Sequence, residues 1–120
     1  MDDHEVILYQ KADGSVPVRD LILGLPHGMR EKAVHDLELL QQYGPRLREP
    51  HSKLIGDGIF ELRIRFANDI ARVSSFFFAG KKIIVTNGYV KKTQKMLRRE
   101  WKRALAYKRD WEERGSYGGE

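Results

Sequence analysis

Residues 60–95 read FELRIRFANDIARVSSFFFAGKKIIVTNGYVKKTQK. Within Phe60 to Phe66 the apolar Phe60, Leu62, Ile64 and Phe66 alternate with Glu61, Arg63 and Arg65, and a period of two puts each set on its own face of a strand. This predicts a half-buried antiparallel strand. Asn68-Asp69 reads as a turn, and Ala71 to Phe78 as a second strand in which Arg72 is the only charge in an apolar run. Ala79-Gly80-Lys81 reverses the chain again, and β-branched Ile83-Ile84-Val85 predicts a third strand that ends at Asn87-Gly88. Three consecutive strands with tight turns form a meander. It delivers Tyr89, Lys91, Lys92 and Lys95 near the sheet rim.

Upstream of the meander, Glu5 to Tyr9 is a short apolar run suited to a first strand, and Lys11 to Ser15 forms a loop. Ser15 and Pro17 mark a helix start, with Val18, Leu21, Ile22 and Leu25 as its apolar stripe and a stop near Gly24-Leu25-Pro26. Met29, Ala33, Leu37 and Leu40 recur at helical spacing, with Arg30, Glu31, Lys32, Asp36 and Glu38 expected toward solvent, and Gly44-Pro45 closes this second helix. Arg46 to Gly58 is expected to be an irregular link. Downstream, a last helix from about Thr93 to Glu113 carries Leu97, Trp101, Leu105 and Trp111 on one side and most of its basic residues on the other. The two tryptophans are expected to pack rather than to stack on bases. The order β-α-α-β-β-β-α predicts an α+β fold: a small antiparallel sheet with an N-terminal helical hairpin on one face and a C-terminal helix. The other sheet face, with Glu61, Arg63, Arg65 and Arg72, is left for the last helix or for a ligand.

At 120 residues, 41% hydrophobic and 32% charged, the chain is expected to be one soluble domain over residues 1–115 with a flexible tail at 116–120. The absence of cysteine excludes disulfides and cysteine-based zinc sites. The start MDDHEV is acidic where a signal peptide is basic, and no apolar stretch is long enough to span a bilayer, so a cytoplasmic protein without a membrane partner is expected. Charge is uneven. Residues 1–90 hold twelve Lys or Arg and twelve Asp or Glu, whereas residues 91–120 hold ten against five and account for the whole net charge of +5. Such a run suits a polyanion such as RNA, and equally a solvated helix face.

Gly58-Ile-Phe-Glu-Leu-Arg63, the Arg72-Val73 pair and Gly88-Tyr-Val-Lys-Lys-Thr-Gln-Lys95 resemble, in order and spacing, the phage-derived HigB-like branch of the RelE toxin superfamily. The resemblance runs from the first strand to the last helix, and the KKTQK segment is its most specific part. It implies a RelE-like fold and a ribosome-dependent mRNA interferase, a toxin that enters the ribosomal A site, cuts the codon there, and is held inactive by a helix-turn-helix, HigA-like antitoxin. Relatives carry a histidine near the position of Asn87 and a Thr-Pro after KKTQK, where this chain has Met96-Leu97.

Metal-free RNA cleavage uses the 2′-hydroxyl as nucleophile on the adjacent phosphate, so an enzyme must orient that hydroxyl, neutralise the phosphate and protonate the leaving 5′-oxygen. Arg63 and Arg72 are the candidate phosphate clamps, because a guanidinium matches phosphate oxygens in a bidentate fork. Lys91 can add charge or move a proton, and Glu61 and His51 are both candidates for general base. Lys53 resembles a superfamily lysine that contacts the phosphate; Arg65, Tyr89, Lys92 and Lys95 complete the candidate RNA-binding set. Arg63 and Arg65 are also explained as partners of Glu61 or of neighbouring acids, Tyr89 as a core residue, and the lysines as the start of a surface helix. No cofactor is implied, and His4, His27, His35 and His51 lack metal-ligand spacing. The alternatives to an enzyme are a non-catalytic RNA- or ribosome-binding module and a degenerate toxin homologue that keeps only the antitoxin interface.

Overall fold

The computed structural model describes residues 3–91 and 97–118. The chain runs β1 (Glu5–Leu8), α1 (Pro17–Leu23), α2 (His27–Tyr43), a 3-10 turn (Gly44–Arg46), β2 (Ser52–Gly56), β3 (Ile59–Phe66), β4 (Asp69–Phe78), β5 (Lys82–Lys91) and α3 (Arg98–Gly118). The five strands form one sheet in the order β1-β5-β4-β3-β2. The α+β class, the meander and the helical pair are as expected.

The helical pair covers one face, with α1 lying on β5 and α2 on β3. Val18, Leu25, Met29, Ala33 and Leu40 pack there against Leu62, Ile64, Ala71, Val73, Ile83 and Val85. On the opposite face a second apolar cluster gathers Tyr9, Ile59, Phe76 and Ile84 under Ala104, Trp101, Leu105 and Trp111 of α3. Both tryptophans therefore pack, as their helical spacing requires. The Tyr9 hydroxyl donates to Asp110 Oδ2 at 2.5 Å, Arg114 holds the same oxygen, and Tyr107 stacks on the Tyr9 ring at 4.7 Å. This fastens the later turns of α3 to the end of β1.

Five features differ from expectation. The sheet is mixed, because β1 pairs parallel with β5 (Glu5↔Lys82 to Leu8↔Val85) across the intervening helical pair. The supposed link at 46–58 contains β2, antiparallel to β3. Its connection is the two-residue loop Asp57-Gly58, both at positive φ (52° and 78°), which is the Asp-Gly hairpin signal in plain view. Strand β5 continues through Asn87-Gly88 to Lys91, since a bulge opposite Ser74/Ser75 absorbs an extra residue there. Asp36 is buried, with Lys32 Nζ at 2.7 and 2.9 Å from its two oxygens, and Arg30 turns back to the Leu23 and Leu25 carbonyls. Ser15 bonds Asp13 rather than the helix, and α3 runs on to Gly118 through the segment expected to be a tail. The expected helix start at Thr93 lies outside the described residues.

Gly88 sits where the backbone of β4 leaves no room. A Cβ added there lies 2.8 Å from the Arg72 carbonyl oxygen, 2.8 Å from Leu21 Cδ2 and 3.0 Å from Val73 Cγ2. Gly88→Ala should therefore destabilise the fold by about 1–3 kcal/mol, read as a lower denaturation midpoint with unchanged slope; an unchanged midpoint would contradict this packing. Burial, then the bond to Asp110, pushes the Tyr9 hydroxyl up from 10.0 to about 12. The folded state thus holds this proton more tightly than the unfolded chain. The stabilisation is complete below pH 10.0 and is lost as pH rises toward about 12. The stability difference between wild type and Tyr9→Phe should shrink across that window in pH-dependent denaturation.

Candidate functional site

Antiparallel register sets which side chains share a face, because directly opposed residues point the same way. Lys53 opposes Glu61, Glu61 opposes Ser74, and Ser74 opposes Asn87. In the next row Arg63 opposes Arg72, which opposes Tyr89, and His51 continues the row at the β2 end, its carbonyl accepting from the Arg63 N–H at 2.8 Å. A third row carries Arg65, Ile70 and Lys91. The same face turns apolar beyond these rows at Ile59, Phe76 and Ile84, where α3 lies on it. Eight of the ten residues singled out from the sequence thus occupy three adjacent rows of one sheet face. The other two, Lys92 and Lys95, lie outside the described residues.

At the centre Glu61 Oε1 accepts from Arg72 Nη1 at 2.8 Å and from Arg63 Nε at 3.0 Å. Glu61 is 1% exposed and Arg72 2%, while the Arg63 side chain keeps 16%. A carboxylate this deep is tolerable only with charge-assisted partners, and two guanidinium groups on one carboxylate leave the trio with a net positive charge. Arg72 is the embedded charge that needed a partner, and Glu61 is that partner. His51, Lys53 and Arg65 surround the trio and are exposed. Glu61 Oε2 has no hydrogen-bond partner among the described residues.

Beside the trio lies a polar network with no counterpart in the sequence reading. Thr86, the extra residue of the bulge, places its hydroxyl 2.7 Å from Asn87 Oδ1 and 3.2 Å from the Ser74 carbonyl. Asn87 Nδ2 donates to Glu100 Oε1 at 3.2 Å and to the Glu100 carbonyl at 3.3 Å. Arg103 reaches Glu100 Oε2 at 3.1 Å and Arg99 lies 3.8 Å from it. The Tyr89 hydroxyl accepts the Leu97 N–H at 3.1 Å. Burial, helped by the charges of Glu61 and Glu100 against Arg72 and the Leu97 bond, raises the Tyr89 hydroxyl above its ordinary value, so the ring stays neutral at physiological pH. Glu100, in the first turn of a helix, was one available signal; Asn87 read as a turn residue, near the position where the resembling toxins carry a histidine. Among the described residues no three His, Asp or Glu side chains converge as a metal ion would require.

Removing Arg72 leaves the buried carboxylate to Arg63 alone, so Arg72→Met should cost about 3 kcal/mol, the low end for breaking a buried pair. Adding Glu61→Gln to Arg72→Met should recover part of that loss, giving a coupling of at least about 1 kcal/mol in a double-mutant cycle of denaturation. Strict additivity would contradict the shared-carboxylate geometry.

The family model described as phage derived protein Gp49-like (DUF891) matches residues 20–109, which include all three rows and the first half of α3. A search of curated proteins returns no match. No helix among the described residues is long and apolar enough to cross a membrane. With 90 of 120 residues matched, the chain belongs to the Gp49-like family of phage-derived, toxin-like proteins.

Proposed function

We propose that this chain is the toxin of a type II toxin-antitoxin pair and acts as a ribosome-dependent mRNA endoribonuclease in the cytoplasm. The observation that carries the reading is the convergence of His51, Lys53, Arg63, Arg65 and Tyr89 on one sheet face around the buried Glu61–Arg72 pair. Membership of a toxin-like family supports it. So does the resemblance to the HigB-like toxins, which also supplies the helix-turn-helix antitoxin as partner and the ribosomal A site as the place of action.

The chemistry assigns a task to each side chain. The RNA 2′-oxygen attacks the adjacent phosphorus, its proton passes to a base, and the bond to the 5′-oxygen breaks as that oxygen takes a proton. The products are a 2′,3′-cyclic phosphate and a 5′-hydroxyl. Arg63, half-buried and fixed by Glu61, offers its remaining N–H groups to a phosphate in a direction set in advance, which is how fixed charge lowers a barrier. Arg72 and Glu61 position Arg63 from the interior. His51, exposed and opposite Arg63, is better placed than buried Glu61 for proton transfer. Lys53 and Arg65 bracket the phosphate, and Tyr89 offers a neutral ring beside it. Lys91 opposes Ile70 in the strand register.

A non-catalytic RNA-binding module is the second reading. It is favoured by one feature: Glu61 is buried and already bonded to both arginines, which leaves the exposed His51 and Lys53 as the proton-transfer groups of the two inner rows.

Mapping mRNA 5′ ends after controlled expression of wild type, Arg63→Ala and His51→Gln separates the two. Cuts inside translated codons that fall about 100-fold or more in His51→Gln, with binding to ribosomes retained, would establish the enzyme and the histidine's role. Growth arrest without cuts would leave the binding module.

A further inference from the structure

Tyr89 stands in the row of Arg63 and Arg72, yet a tyrosine on a sheet face has more than one staggered position open to its ring. A backbone donor fixes this one, for the Tyr89 hydroxyl accepts the Leu97 N–H at 3.1 Å. Leu97 immediately precedes α3, and its carbonyl accepts the Glu100 and Trp101 N–H groups at 3.0 and 3.1 Å, so it is the cap residue of that helix. A leucine has no side-chain oxygen to offer the first-turn N–H groups. Arg98, Arg99, Lys102 and Arg103 also crowd positive charge onto the positive end of the helix dipole. Left to itself, this end would fray.

Glu100 is the third residue of the helix, where a glutamate ordinarily turns back to the N–H of the cap residue. Here the Tyr89 hydroxyl takes that N–H, and the Glu100 carboxylate goes to the strand instead, accepting from Asn87 Nδ2 at 3.2 Å. The Glu100 carbonyl takes the same group at 3.3 Å. The Thr86 hydroxyl lies 2.7 Å from Asn87 Oδ1, which leaves Nδ2 facing the helix. Asn87 and Tyr89 are two apart on β5 and share a face, while Leu97 and Glu100 are three apart on one side of the helix start. Two rungs therefore join β5 to α3. The Glu100–Asn87 rung is shielded from water, at 4% and 3% exposure, whereas Tyr89 is half-buried. The Glu100 charge also reaches the Tyr89 hydroxyl, which burial chiefly holds above its ordinary value.

We infer that Glu100 is a positioning residue for RNA cleavage: its bond to Asn87 seats the first turn of α3 so that the Leu97 N–H holds the Tyr89 hydroxyl, which sets the Tyr89 ring in the row of Arg63 and Arg72 before RNA arrives. Glu100 touches neither phosphate nor base and acts through Leu97 and Tyr89. The inference rests on the RNA reading proposed above, and its tests separate the two.

Amide hydrogen exchange reads the seating without RNA. In Glu100→Ala the Leu97 amide should exchange about tenfold or more faster than in wild type, with the β3 and β4 amides unchanged. Asn87→Ala removes the same bond from the strand side, should do the same, and serves where Glu100→Ala does not fold. Leu97 protection equal to that of wild type would overturn the inference and leave the RNA reading standing.

Cleavage is read as the single-turnover rate on ribosomes carrying a defined mRNA codon in the A site, at saturating protein. Glu100→Ala should lower that rate about 10- to 100-fold with little change in the half-saturating concentration. Glu100→Gln, which keeps an oxygen for Asn87, should retain most of the rate. In a Tyr89→Phe background the Leu97 N–H has already lost its acceptor, so Glu100→Ala should cost less than about threefold more. Losses that multiply would show that Glu100 acts otherwise than through Tyr89 and would overturn the inference, as would a glutamine variant as slow as the alanine. If wild type cleaves no mRNA, the enzyme reading falls and the inference with it.

Discussion

A carboxylate at 1% exposure has given up its water, and Glu61 offsets part of the loss by binding two guanidinium groups through one oxygen. That arrangement fixes much else. Arg72 can lie in the interior of β4 only because Glu61 is there, and Arg63 is held at the boundary with solvent by the same atom. Polar residues in the middle of a sheet face keep that half from closing into a core, so α3 packs on the other half, over Ile59, Phe76 and Ile84. One face therefore divides into an apolar half under the helix and a charged half beside it.

The bulge in β5 makes that division consistent along the strand. Val85 faces the α1–α2 core and Ile84 faces α3. Strict alternation would then turn Gly88 toward the site and Asn87 and Tyr89 into the core. The extra residue, Thr86, reverses the phase. Gly88 meets Leu21 and Val73 in the core, Asn87 reaches Glu100, and Tyr89 joins the row of Arg63 and Arg72. A local irregularity thus brings the start of α3 and the charged half of the sheet into one hydrogen-bonded unit.

The meander was legible because alternation in Phe60 to Phe66 is strong and local, and the site rows follow from it once register is known. Arg72 was visible as an anomaly, a charge inside an apolar run. Strand β2 was missed although Asp57-Gly58 announces its hairpin, because the prolines and glycines around it read as a link. Parallel pairing of β1 with β5 joins residues far apart in sequence, and no local pattern encodes it. Asp36 shares one helical stripe with Met29, Ala33 and Leu40, so spacing places it inward; its charge made it look exposed, and Lys32 one turn earlier supplies the partner that burial demands. The Asn87–Glu100 contact depends on the bulge, and Asn-Gly in isolation signals a turn instead.

The central claim is that RNA lies on the charged half of the sheet face, over the Glu61–Arg63–Arg72 trio. Nuclear magnetic resonance of the arginine Nε–H, histidine ring and backbone amide signals during titration with uncleavable RNA tests it most directly. The account predicts that the largest shifts fall on His51, Lys53, Arg63, Arg65 and Tyr89, with α1 and the outer face of α2 unmoved. Shifts confined to the α1–α2 side, or none on the three rows, would contradict it.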